Sequence, residues 1–182
     1  MVRLSIYILV LVFGISPAAA QSADNREYQV KAVFLFNFTQ FVEWPPQAFA
    51  EQASPFIIGI LGKDPFDGFL EETIAAEKVN GHPLVIQHYK NIEEIKTCHI
   101  LFIAQPEINA TGEAMKNLNA KSILTVSDKI DFIQEGGIIR FITKDNKIQI
   151  QINAEAAKEA NLIISSKLLR LAEVVSQDKK IS

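Results

Sequence analysis

Residues Tyr28 to Pro45 read YQVKAVFLFNFTQFVEWP, and they constrain the chain more than any other stretch. Phe34, Leu35, Phe38, Phe41 and Val42 recur at the i, i+3, i+4, i+7 spacing that gathers them on one side of a helix. Val33 and Phe36 fall off that stripe and make a second apolar flank. A surface helix of a monomer ordinarily carries a polar opposite face. A helix apolar on two sides is deeply buried or shared with a partner; if it is shared, Val33 and Phe36 are the candidate homodimer contact. Pro45 bars helical geometry at Trp44, so the helix is expected to stop there.

The first twenty residues read differently. Arg3 supplies a short positive start, Ile6 to Ile15 is apolar, and Ala18-Ala19-Ala20 places small residues where a signal peptidase reads. This is the pattern of a secretory leader, with cleavage expected before Gln21. The apolar run is short for a bilayer span, which needs roughly 20 residues. No cysteine stands near position 20, so a lipid anchor is not expected.

The expected mature chain, 21–182, is one domain by size. Such a chain buries about 70% of its extended surface and needs no disulfide staple. Loss of Arg3 takes the net charge from −3 to −4. A mildly acidic domain without basic clusters argues against nucleic acid and anionic membrane as partners. Cys98 is the sole cysteine, so no internal disulfide forms, although a secreted chain meets an oxidising compartment. A buried inert thiol is the simpler reading, with an intermolecular disulfide as the alternative.

After the aromatic helix, strand and helix patterns alternate. Phe56 to Leu61 is a continuous apolar run of strand length. Asp64 and Pro65 suit the cap and first position of a helix carrying Phe66, Phe69, Leu70 and Ile74. Asn80-Gly81 is a turn before the strand Leu84-Val85-Ile86. Asn91 to Glu94 has capping-box spacing. His99 to Ala104 and Ser122 to Val126 are further strands, with a helix capped by Thr111 between them. Asp128 is expected to cap a helical turn through Phe132.

The rhythm then changes. Gly136 to Thr143 and Lys147 to Ile152 read as a hairpin across Lys144-Asp145-Asn146. Asn153 caps a helix over Ala154 to Ala160, and Asn161 suits a left-handed closing position. Leu162-Ile163-Ile164 is a short extended piece. Ser165 or Ser166 caps a last helix carrying Leu168, Leu169, Leu171, Ala172 and Val175. Continuous apolar strands are buried on both faces, and alternation with helices makes them parallel. The expected architecture is α/β: a three-layer α/β/α sandwich with a mixed, mostly parallel sheet and a C-terminal antiparallel hairpin at its edge.

A search for chemistry finds no constellation. His82, His88 and His99 form no close pair of the kind a metal site uses. His88 and Cys98 meet only if their strands are neighbours, and two ligands do not make a site. There is no nucleophile elbow. Ser176 to Lys179 matches SxxK in a polar tail where nothing excludes water. Gly59 to Asp64 sits where a phosphate-binding turn belongs in an α/β fold, but it matches neither known glycine pattern, and a tight turn accounts for the glycines. Glu71-Glu72 and Glu93-Glu94 are adjacent pairs that do not face each other in a helix. Asn37-Phe38-Thr39 and Asn109-Ala110-Thr111 match the glycosylation pattern by chance. No catalytic residue, metal ligand or cofactor site is expected. What remains is a binding surface. Ile163 and Ile164, rimmed by Lys167, Arg170 and Glu159, are the candidate apolar patch for a protein partner.

KAVFLFNFTQFVEWP, GGIIRF (Gly136 to Phe141), CHILFI (Cys98 to Ile103) and INAEAAKEANLIISSKLLRLAEVV (Ile152 to Val175) together resemble the YfiR family of small secreted bacterial proteins. The first and last blocks are specific in combination, and the likeness spans nearly the whole mature chain. It implies a periplasmic, non-catalytic repressor. Such a protein binds the periplasmic region of an inner-membrane diguanylate cyclase and thereby lowers cyclic di-GMP and biofilm formation. It further implies that an outer-membrane lipoprotein can sequester the repressor, and that the repressor dimerises. Some family members carry additional cysteines that pair; with Cys98 alone, a paired-cysteine redox role does not transfer. The alternative from another class is a periplasmic small-molecule sensor or binding protein. It would use the loops at the carboxyl ends of the strands, around Gly62 to Phe66 and Gln105.

Overall fold

The structure, a computed structural model, describes residues 18–51, 53–104 and 112–175. Helix α1 (Ala18–Phe41) leads into strand β1 (Val42–Glu43) and a 3₁₀ turn at Pro46–Ala48. Then follow β2 (Phe56–Leu61), α2 (Phe69–Ile74), β3 (Lys78–Val79), β4 (His82–Tyr89) and β5 (Ile100–Ile103). The second half comprises α3 (Gly112–Asn119), β6 (Leu124–Ser127), β7 (Ile139–Lys144) and β8 (Lys147–Asn153). The chain closes with α4 (Ala154–Glu159), β9 (Ile163–Ile164), α5 (Ser166–Leu171) and β10 (Glu173–Val175).

The main sheet runs β10-β8-β7-β6-β5-β2-β4-β3. Its five central strands, from β4 through β2, β5 and β6 to β7, are mutually parallel. Counted in chain order they lie 2-1-3-4-5, one of the two common doubly wound orders. β2 is apolar throughout because both its faces are covered, as the continuous run predicted. Phe56, Ile58 and Ile60 join a core shared with Leu35 and Phe38 of α1 and Leu70 and Ile74 of α2. Ile57 and Leu61 join a second core with Met115 and Leu118 of α3. These are the three layers expected from the alternating pattern.

Gly59 lies mid-strand between them. A Cβ there would stand 2.7 Å from the Tyr89 ring and 2.8 Å from Cys98 Sγ. Gly59 is therefore a site of close side-chain approach rather than part of the turn, which belongs to Gly62 at φ +94°.

Several local expectations change in the structure. Helix α2 starts at Phe69 behind a left-handed Gly68, not behind Asp64. Asp64 Oδ1 instead accepts from Phe66 N–H at 2.7 Å, holding a turn. Asp128 caps nothing, because its carboxylate is taken by Lys31 and Tyr28 of α1. Glu94 reaches back to Lys90 N–H at 2.9 Å, while the Asn91 side chain caps no helical N–H. The last helix ends at Leu171, and Glu173–Val175 pairs in parallel with β8 instead of continuing the helix. The hairpin β7–β8 is thus one strand inside the sheet edge.

Two turns that join β hairpins share a mechanism. Asn80-Gly81 and Asp145-Asn146 both carry two successive positive-φ residues, and each joins antiparallel strands. That backbone twist suits two-residue hairpins, and Asn, Asp and Gly tolerate it best. Asn153 caps α4 through Ala156 N–H, and Asn161 takes a left-handed φ of 55°, both as the residue types predicted. Thr111, Gln105, Asn109 and the segment 176–179 lie outside the described residues.

Candidate partner-binding face

Helix α1 lies across one face of the sheet. Ala32, Leu35 and Phe38 are fully buried, and Phe38 stacks on Phe141 of β7 with ring centroids 6.0 Å apart. Phe34 packs on the same ring from 5.9 Å. Phe36 is half-buried against the core, whereas Val33 is 42% exposed beside Val30 at 43%. Of the two expected dimer residues, Val33 therefore faces outward and Phe36 mostly inward.

The end of α1 is stitched to the C-terminal block. The chain turns extended at Val42-Glu43 and pairs antiparallel with Ile163–Ile164, Val42 opposite Ile164 and Glu43 opposite Ile163. Ser165 N–H closes the ribbon onto Phe41 C=O at 2.8 Å. Ser165 Oγ then accepts from Leu168 N–H and starts α5. In a two-residue ribbon, alternation sends Ile164 inward and Ile163 outward. Ile164 is half-buried against the core, and Ile163 is 64% exposed.

Helix α5 buries Leu168 and presents Lys167, Arg170 and Leu171 to solvent, with Leu171 72% exposed. Lys167 and Leu171 are four residues apart and share a helix face. Lys167 Nζ lies 5.4 Å from the centre of the Phe41 ring, a cation–π contact that ties α5 to the end of α1. Val174 of the edge strand β10 is half exposed. Glu159 is exposed at the end of α4. Among the described residues, three of the seven exposed large aliphatic side chains thus fall within Ile163–Val174, and two more lie on α1. Of the proposed patch, Ile163, Lys167, Arg170 and Glu159 face solvent, whereas Ile164 packs against the core.

The crevice that doubly wound folds use for ligands lies elsewhere, at the carboxyl ends of β2 and β5, where the strand order reverses. Here it is filled. Tyr28 of α1 meets Phe66 edge-on at 5.7 Å and Phe102 at 6.5 Å, and Phe66 meets Phe102 at 5.0 Å. Beside them Lys31, 1% exposed, pairs with Asp128 Oδ2 and Glu27 Oε1, each at 2.6 Å. Tyr28 O–H donates to the same Asp128 oxygen at 2.9 Å. The recess left outside, along Asn25, Gln29, Pro65 and Phe69, is about 210 Å³. Small-molecule pockets run from about 300 Å³ upward, so this recess is small for a ligand; Gln105, the other half of the expected ligand site, lies outside the described residues.

The nucleophilic and titratable groups take structural roles. Cys98 is 5% exposed, donates to Ile100 C=O at 3.0 Å, and has its thiol pKa pushed up to about 12 by burial. His99 is fully buried between the rings of Phe49 and Phe56, at 4.5 and 4.7 Å. Its Nδ1 accepts from Ile57 N–H at 3.0 Å, and burial lowers its pKa to about 4. His82 stacks on the other side of Phe49 at 4.2 Å. His88 does not meet Cys98, because β2 lies between their strands.

A profile of the YfiR/HmsC-like family matches residues 28–173. The chain belongs to that family. The matched span begins at Tyr28 in α1 and ends at Glu173 in β10, so it takes in both halves of the face described above. The YfiR/HmsC-like family is one of periplasmic, regulatory, non-enzymatic proteins of diguanylate cyclase signalling. Among curated proteins, none matches the chain significantly. Among the described residues, no helix is long and apolar enough to cross a membrane.

Proposed function

We propose that this YfiR/HmsC-like protein is a periplasmic repressor that binds the periplasmic region of an inner-membrane diguanylate cyclase and holds it inactive. The observation that carries the reading is the solvent exposure of Ile163, Leu171 and Val174 in the C-terminal block that also exposes Lys167 and Arg170. An apolar centre with a charged rim is the anatomy of a protein-binding surface. The control is a population shift: the repressor must bind the inactive cyclase more tightly than the active one. Release then raises cyclic di-GMP and favours biofilm. The leader 1–20 directs export, and an outer-membrane lipoprotein that competes for the repressor supplies the relief. Val33, with Val30, is the homodimer contact on α1, and Phe36 supports it from below.

The test is intracellular cyclic di-GMP in the source strain with the gene deleted and then restored. Deletion raises it, and the intact chain reverses the rise where a leaderless version does not. Unchanged cyclic di-GMP under several growth conditions would remove the cyclase reading.

A further inference from the structure

At the carboxyl ends of β2 and β4, three side chains from separate elements converge. Asp64 comes from the turn after β2, Glu71 from α2 and His88 from the end of β4. Their ligand atoms all lie within 4.8 Å of one another. Asp64 Oδ2 stands 2.8 Å from His88 Nε2, and Glu71 Oε1 stands 4.0 Å from the same nitrogen. The geometry points to a surface site for a divalent transition-metal ion, held by one imidazole and two carboxylates.

Dimensions support this. A tetrahedral ion with bonds of about 2.1 Å holds its ligand atoms about 3.4 Å apart. The observed 2.8 and 4.0 Å bracket that spacing, and Glu71, on an exposed side chain, has room to close the longer one. Asp64 is already oriented, because its other oxygen accepts from Phe66 N–H and leaves Oδ2 toward His88. Charge agrees as well: two carboxylates neutralise a divalent cation, and three protein ligands leave a fourth position for water. One nitrogen and two oxygen donors suit zinc and its first-row neighbours better than magnesium or calcium, which prefer all-oxygen shells. The site ties β2, β4 and α2 together. It stands on its own residues and does not rest on the regulatory reading.

The experiment is titration calorimetry of tag-free, EDTA-treated mature protein with zinc chloride, and with magnesium chloride in parallel. Zinc is expected to bind one to one and to raise the melting temperature by about 5 °C at a hundredfold excess over Kd. Magnesium should give no comparable heat. His88→Ala, Asp64→Asn and Glu71→Gln should each weaken zinc at least about tenfold while circular dichroism stays unchanged. Absence of zinc binding, or binding at wild-type affinity in His88→Ala, would overturn the assignment. So would equal binding of zinc and magnesium, which marks a diffuse acidic surface. If His88→Ala unfolds, Glu71→Gln at an exposed helix position decides the matter alone.

Discussion

Removing the Asp128 carboxylate should unsettle the packing of α1 on the sheet. Asp128 is the acceptor for both Lys31 Nζ and Tyr28 O–H, and Lys31 is one of the largest fully buried side chains. Breaking a buried pair by deleting one partner costs about 3–5 kcal/mol when the remaining charge is orphaned. Here Glu27 stays 2.6 Å from Lys31, and the two carboxylate side chains keep 26% and 16% of their exposure. Roughly half the full cost is then expected, about 2 kcal/mol for Asp128→Ala. For a chain of this size that is a melting point lower by about 4–8 °C. Lys31→Met should cost less than Asp128→Ala, because it removes the buried charge and leaves carboxylates that water can reach. Tyr28→Phe, which deletes a hydrogen bond to the charged Asp128 carboxylate, should cost about 1.5 kcal/mol. Urea unfolding followed by fluorescence of Trp44, the sole tryptophan, reads all three. The reasoning fails if Asp128→Ala matches the parent within about 0.5 kcal/mol, or if Lys31→Met proves the more damaging change.

The exposed and inward members of β9 should separate function from folding. Ile163→Asp is expected to release the cyclase, read as raised cyclic di-GMP, with stability within about 0.5 kcal/mol of the parent. Ile164→Asp should lower the urea midpoint instead, since Ile164 packs on the core. Cys98, with its thiol pKa near 12, should ignore Ellman's reagent at pH 8 in the native protein and react at once in guanidinium. His99, with its pKa lowered to about 4, stays neutral when folded but charges near pH 6.5 when unfolded. The unfolded chain therefore binds the extra proton, and stability falls as pH drops from about 6.5 to 4, by up to about 3 kcal/mol. His99→Asn should flatten that slope in urea titrations at pH 7 and pH 5. Gly59→Ala, which drives a Cβ into Tyr89 and Cys98, should cost about 1–3 kcal/mol.

Much of the fold was legible because period and punctuation are local. The unbroken apolar run Phe56–Leu61 needs cover on both faces, and that alone implies a layered sheet with helices. Asn153, Asn161 and Ser165 acted where their side chains and backbone preferences place them. The outward side chains of the C-terminal block were half legible. Lys167 and Arg170 sit outward on α5 as helix spacing requires, but Ile163 and Ile164 look identical in sequence. Only the pairing of β9 with β1 sends one out and the other in. The cluster of Asp64, Glu71 and His88 carried no sequence signal, because its members are scattered over a turn, a helix and a strand.

The amino-acid sequence by itself determined most of the elements, the doubly covered sheet and the family, since each follows from residue types read over a few turns or strands. The tertiary structure decided what long-range pairing decides. It gave Asp128 to Lys31 rather than to a cap, because a buried ammonium needs a carboxylate more than a solvated turn does. It drew Glu173–Val175 into the sheet, because the open edge of β8 satisfies more backbone than another helical turn would. It also set Tyr28 edge-on against Phe66 and Phe102, and paired β9 with β1 so that Ile163 faces solvent.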